Sequence, residues 1–309
     1  MTSKTPKIIY ICGSGRSGST VLDIILSNQE DSFGVGELNY LHRFINSKSE
    51  FCACGSLYES CSFWPDVLKE WKKRTKNENA LEDLQAKQNM FERFKTLPLG
   101  FWHFIKKSPD YLSYLKLNED LYASIAHIAK KDTLIDSSKN PLRAFYLSSS
   151  KNLDINTIHL IRDGRGVAYS LSKAYEKDIK KGVQTSLAPK PVWRTALFWC
   201  ITNLFSHFVS LFKNQNYTRL YYEDFIENAP RVLPKLGETF NLSYTKVIDK
   251  LNHDKPFKAG HTVAGNRLRM KGSVKLKSSD DWRESFPKSK RLVFSIIAFP
   301  FLIFYGYFR

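Results

Sequence analysis

The sequence predicts an α/β domain of three layers, with a central parallel sheet flanked by helices. Three observations point there. Short apolar, β-branched runs are each cut off by glycine, proline or a polar cluster, the mark of buried strands. Stretches rich in Leu, Lys and Glu lie between them, and strands alternating with helices form a parallel sheet covered on both faces. The polar motifs follow the strands, where ligands of such sheets bind.

Residues 7–12 are the first strand, ended by Gly13. Residues 13–18 form a glycine-rich turn, and residues 19–26 read as an amphipathic helix. Residues 61–95 and 109–131 read as helices separated by a breaker at Pro98-Leu99-Gly100. Strands are expected at 133–136, 157–161 and 218–222. Helices are expected after Asn140-Pro141, from 166 to 173 and from 192 to 213. A polar loop covers 177–191. Short helices, a basic loop at 258–277 and an apolar C-terminus complete the chain. No internal repeat is visible.

With 309 residues, 42% of them hydrophobic and 25% charged, the chain is of globular type and long enough to bury a core without staples. Disordered, collagen-like and low-complexity classes are excluded. We read residues 1–309 as a single domain, with a helical, cysteine-containing insert at about 45–131 and an apolar segment at 288–309. Lys and Arg number 47 against 30 Asp and Glu, a net charge of +17, so an anionic partner is expected. Residues 251–309 hold 12 Lys/Arg against 4 Asp/Glu, a net +8, which directs the search for an anion contact to that region. The N-terminus lacks a signal-type apolar segment, and a cytoplasmic protein is expected.

Two motifs read as anion sites. Residues 13–20, G-S-G-R-S-G-S-T, join a strand to a helix, where turn N–H groups and the helix N-terminus bind phosphate. Against the nucleotide P-loop pattern, Gly13, Gly18 and Thr20 fit, but Ser19 replaces the lysine that reaches β/γ-phosphates. Arg16 supplies a cation three residues earlier; a tight structural turn is the plain alternative. Residues 160–170, L-I-R-D-G-R-G-V-A-Y-S, repeat the strand–turn–helix layout, and Arg162 and Ser170 could converge on one phosphate. The plain alternative pairs Arg162 with Asp163 or another acid as a salt bridge.

Together with Y-E-D-F at 222–225 and G-H-T-V-A-G-N-R-L-R at 260–269, these motifs resemble in order and spacing the sulfotransferases that use 3′-phosphoadenosine-5′-phosphosulfate (PAPS). The resemblance runs from residue 7 to about 285 and is to the branch of bacterial and tyrosylprotein sulfotransferases. It implies a P-loop-like fold. It implies that Gly15, Arg16, Ser17, Gly18, Ser19 and Thr20 hold the 5′-phosphosulfate, and Arg162 and Ser170 the 3′-phosphate. Tyr222 would supply an aromatic to the adenine site, and Asn266, Arg267 and Arg269 would close over the 3′-phosphate. It explains the missing lysine, since PAPS has no β/γ-phosphates. The acceptor would be a hydroxyl of a carbohydrate, lipid, small metabolite or peptide, with no metal required and no nucleic-acid partner. The loop departs from the cytosolic branch in carrying Arg16 where that branch has lysine.

Sulfuryl transfer needs an aligned nucleophile, neutralised leaving oxygens and a base. Glu37 stands where the related branch keeps a catalytic glutamate; otherwise it would cap the helix after it. Lys139 resembles the branch's catalytic lysine and would act with Arg16 on the transferring group; otherwise it is a solvated loop lysine. His261 is the reserve base. Lys271, Lys275 and Lys277 extend the basic patch or form a solvated face.

Cys52, Cys54 and Cys61 could bind zinc if a fourth ligand came from elsewhere, His42 being nearest in sequence. A disulfide is the second option, and the reading taken is reduced thiols in a packed insertion near the acceptor side. Residues 292–308 are almost wholly apolar, number 17 and contain Pro300, short of the roughly 20 that a membrane span needs. With Lys288, Lys290 and Arg291 alongside, peripheral membrane contact is one reading. The reading taken is a helix packed on the domain and broken at Pro300. The rival functions are a P-loop kinase using ATP, and a non-catalytic nucleic-acid or membrane-binding module.

Overall fold

The structure, a computed structural model, describes residues 5–178, 184, 186–211, 216–276 and 281–308. Residues 179–183 and 185 of the polar loop at 177–191, and Lys277 of the basic loop, lie outside the described residues. Five parallel strands form the central sheet in the order β2-β3-β1-β4-β5. They are β1 (Lys7–Cys12), β2 (Ser32–Gly36), β3 (Thr133–Lys139), β4 (Asp154–Ile161) and β5 (Tyr217–Tyr221). A short antiparallel pair, β6 (Phe257–Lys258) and β7 (Ser273–Val274), lies outside it.

The central strand shows why the sheet has two covered faces. Ile8, Tyr10 and Cys12 point into one apolar cluster, Ile9 and Ile11 into another, and all five are fully buried. Alternation of side chains along a strand puts neighbours on opposite faces. An unbroken apolar run therefore demands helices on both sides.

On one side lie α2 (Leu41–Asn46), α3 (Trp64–Thr75), α4 (Ala80–Phe91), α5 (Leu97–Lys106), α6 (Pro109–Ala129) and α7 (Pro141–Leu147). On the other are α1 (Ser19–Leu26), α10 (Tyr222–Phe240) and α11 (Thr245–Asn252). A third cluster joins α8 (Gly164–Leu171), α9 (Val192–Phe208) and α13 (Lys288–Phe304), with α12 (Trp282–Ser285) beside α8.

Three expectations about elements are corrected. The stretch 61–95 is two helices, because Lys76 takes a left-handed conformation (φ 50°) and ends α3 without a glycine. Pro98 does not break a helix but opens α5, where its missing N–H would have had no partner anyway. Gly100 continues that helix, buried against the Tyr146 hydroxyl. The C-terminal helix runs through Pro300 to Phe304. The carbonyl that Pro300 cannot serve belongs to Ile296, on the exposed side of the helix, where an unpaired acceptor costs least.

A buried polar network ties the insert to the sheet. Arg143 of α7, fully buried, donates to Glu92 Oε1 (2.7 Å) and the Tyr122 hydroxyl (3.3 Å) and lies 3.8 Å from Asp136 of β3. Tyr122 donates to Asp136 (2.6 Å), and Tyr114 to Glu92 (2.9 Å). This clamps the end of β3, and so the backbone that carries Lys139.

Candidate active site

The glycine turn after β1 and the helix α1 form the first cradle. Gly18 (φ 91°) precedes the helix in a left-handed conformation. A Cβ there would stand 2.4 Å from the Tyr222 ring, so only glycine lets that aromatic lie against the loop. At Gly15 no atom of the other described residues lies within 4 Å of where a Cβ would be, and among them the loop backbone is open on that side. Ser17, Ser19 and Thr20 are buried, and the Ser17 hydroxyl has no hydrogen-bond partner among the described residues. A buried hydroxyl beside open loop backbone suits an anion.

The second motif follows the neighbouring strand β4. The Asp163 carboxylate accepts from the Arg165 backbone N–H and pairs with its guanidinium (2.7 Å). The alternative pairing of Arg162 with Asp163 is thus not what forms. Arg162 instead donates to the Arg16 carbonyl (2.9 Å) and stacks on the Tyr222 ring, 4.4 Å from its centre. Arg16 returns the link, donating from Nε to Ser170 Oγ (2.9 Å). The two motifs are one continuous surface, with Tyr222 between Gly18 and Arg162. Burial lowers the Arg16 pKa, and the charges of Arg162 and Arg267 lower it further.

Beyond β2 and β3, Glu37 and Lys139 form a direct ion pair, both largely buried. Lys139 holds a left-handed backbone (φ 65°), and its carbonyl accepts from Gly13 N–H. Glu37 precedes a 3₁₀ turn but its carboxylate makes no capping bond. Its side chain is engaged with Lys139 rather than with a helix end.

The late loop closes on both. The Glu37 N–H donates to Val263 O, and the Val263 N–H to Val35 O, extending the edge of β2. The Asn266 N–H donates to Thr20 Oγ1 (3.0 Å). A Cβ on Gly265 would lie 3.0 Å from that oxygen and 3.2 Å from Glu37 Oε1. Arg267 stacks over Tyr175 and lines an open cleft with Arg16, Tyr175 and Asn266.

Two residues of the loop make bonds that its sequence does not announce. Arg269 is buried, donating to the carbonyls of Phe51 and Thr262 and to Gln184. Its guanidinium braces the loop while lining the same cleft as Arg267 and Asn266. His261 stands 3.4 Å from Cys61 Sγ and 3.7 Å from Cys52 Sγ, stacked on Phe63. It takes the place beside the thiols for which His42 is nearest in sequence.

Sequence reasoning missed Tyr175 and Asp23. Tyr175 lies five residues beyond Ser170 with nothing local to mark it. Asp23 is an acid inside the apolar run of α1, a legible signal, and accepts from Ser137 (2.6 Å) behind the first cradle. Burial raises its pKa to about 8, with Asp136 and Glu37 adding to the rise.

No curated protein matches the chain. Among solved structures, the sulfotransferase domain of the Synechococcus PCC 7002 olefin synthase is similar, with a TM-score of 0.48 and 19% identity over 97% of this chain and 96% of that one. The sulfotransferase domain from the curacin biosynthetic pathway gives 0.49 and 18% over 95% and 98%. A sulfotransferase of Mycobacterium avium gives 0.49 and 10% over 97% and 77%. The profile of the sulfotransferase family matches residues 6–246, from the first strand through both anion motifs and α10. On that match, this chain belongs to the sulfotransferase family of enzymes.

Proposed function

We propose that the enzyme takes its sulfuryl group from PAPS and passes it to a hydroxyl of an acceptor. The observation that carries this reading is the pairing of two anion motifs at the ends of the adjacent strands β1 and β4, joined by Arg16–Ser170 and Arg162–Arg16 hydrogen bonds. A nucleotide with phosphate groups at both its 5′ and 3′ positions needs two neighbouring cradles. The orphan Ser17 hydroxyl and the open face of Gly15 fit its 5′ end. When bound, PAPS supplies an activated sulfuryl group with a nucleotide phosphate as leaving group.

The residues of the chain do the rest. Gly15 to Thr20 bind the 5′ side through backbone N–H groups and hydroxyls. Arg162 and Ser170 hold the 3′-phosphate, and Arg267 and Asn266 close the cleft above it; Arg16 acts with Lys139 on the transferring group and ties the two cradles together through Ser170. Tyr222 positions Arg162 against the loop and offers an aromatic face near the base. Glu37 takes the acceptor's proton, and Lys139 beside it stabilises negative charge on the leaving oxygen.

Calorimetric titration with 3′-phosphoadenosine-5′-phosphate tests this, with ATP as control. Binding that is specific for the former and weakened roughly 10- to 100-fold in Arg162→Ala is expected, the scale of a lost charge-assisted bond. Preference for ATP would favour the kinase reading instead.

A second observation concerns where the acceptor is met. Among the described residues no helix is long and apolar enough to cross a membrane. Yet α9 and α13, packed together through Trp199 and Phe294, each expose an apolar strip: Trp193, Leu197 and Ile201 on one, Ile296, Phe299 and Ile303 on the other. Patches of this kind mark interaction sites. With Arg194, Lys288 and Lys290 exposed beside them and a net charge of +17, an anionic lipid surface is the matching partner. Co-sedimentation with phosphatidylserine-containing vesicles, lost in Ile296→Ser/Phe299→Ser, is the expected result. A soluble dimer that ignores vesicles would refute it.

A further inference from the structure

The cysteine insert and the late loop meet at a point that the transfer chemistry does not use. Cys52 and Cys54 lie on one turn, Cys61 just before α3, and His261 some 200 positions later. Their ligand atoms, three Sγ and one imidazole nitrogen, all lie within 4.8 Å of one another. Cys54 Sγ and Cys61 Sγ are 3.8 Å apart, and His261 Nδ1 is 3.4 Å from Cys61 Sγ and 3.7 Å from Cys52 Sγ.

These separations are informative. A tetrahedron with Zn–S bonds of about 2.3 Å and a Zn–N bond of about 2.0 Å has S···S edges of roughly 3.8 Å and S···N edges of roughly 3.5 Å. A disulfide would need its sulfurs about 2.05 Å apart, and all three cysteines are free thiols here. The surroundings also serve a metal. The turn is held by Cys52 N–H to Ser56 O (2.8 Å) and Gly55 N–H to Cys52 O (2.9 Å). The His261 ring is stacked on Phe63, and its backbone carbonyl accepts from Trp64 Nε1 (2.8 Å), which aims Nδ1 at the sulfurs. Thiolate and imidazole donors select zinc over oxygen-seeking magnesium or calcium.

We propose that Cys52, Cys54, Cys61 and His261 Nδ1 coordinate one structural Zn2+ that clips the insert to the late loop. Binding releases the three thiol protons and leaves a site of net charge −1. Arg269, bonded to the carbonyls of Phe51 and Thr262 next to two of the ligands, places a cation alongside. Four protein ligands leave no open position, so the ion shapes the site and takes no part in transfer. The proposal does not depend on the donor being PAPS.

Elemental analysis of protein purified without chelators tests it first, with one zinc per chain expected. Cys54→Ser and His261→Ala should lose the metal, and Cys200→Ser should keep it. Because a ligand variant could fail to fold, the wild type is also treated with a mercurial reagent, which should release one zinc as three thiols react. Cobalt exchanged for zinc should show the sulfur charge-transfer and intense visible bands of a tetrahedral site. Reduced, metal-free protein that takes up no added Zn2+ would overturn the proposal. So would a Cys54–Cys61 disulfide in freshly purified protein, or one iron per chain in place of zinc.

Discussion

Lys139 carries two burdens at one position. Its left-handed backbone costs on the order of 1–2 kcal/mol for a residue with a Cβ, and its ammonium is withdrawn from water against Glu37. Strain of this kind persists where the surroundings enforce it, here the Gly13 hydrogen bond and the clamp around Arg143. Glu37→Gln and Lys139→Met should each reduce kcat by about 10²–10⁴-fold, the scale of a lost base or charge stabiliser. Product-nucleotide affinity should stay within a few-fold, and calorimetry on the same variants checks the split. Asp23 makes a prediction of another kind. Its pKa is raised to about 8 by burial, so the folded state keeps a proton that the unfolded chain gives up above about pH 4. Its contribution to stability is fully present below that pH and is lost as pH rises toward 8. Asp23→Asn should remove this component, up to about 1.4 kcal/mol per pH unit. Urea midpoints at pH 5 and pH 7.5 would show it as a wild-type loss that the variant lacks; parallel profiles would contradict it.

At the scale of elements, the site is made by how strand ends are finished. β1 ends in a glycine turn, β3 in Lys139, β4 in Arg162, and β2 in Gly36 and Glu37 with the late loop added at its edge. The first cradle depends on its aromatic neighbour. Gly18→Ala combines a positive φ with a Cβ 2.4 Å from the Tyr222 ring, so the ring and Arg162 above it must move. We expect product-nucleotide binding to weaken at least tenfold while circular dichroism stays unchanged, since α1 and the sheet do not rely on that contact.

Across the whole molecule, what could be read in the sequence followed the range of the forces involved. Strand β1, the two strand-end turns and the helix after Asn140-Pro141 are fixed by neighbours a few residues away, and each lies where the pattern put it. The end of α3 was invisible because lysine rather than glycine holds the left-handed position. Pro300 was misread because the cost of its missing N–H depends on whether the orphaned carbonyl meets water. Arg269 and His261 lie in a motif legible as a unit, yet their separate fates are settled by Phe51 and Cys61 from the other end of the chain.

The bond between Thr20 and Asn266 spans 246 positions. It joins the turn after β1 to a loop made much later in synthesis. Closing so long a loop is slow, and its entropic cost must be met before the contact returns anything. A nascent chain can therefore assemble the sheet and both strand-end turns while the cleft still lacks its far wall. Until residues 260–269 have been made, the two strand-end turns stand without the loop that closes over them.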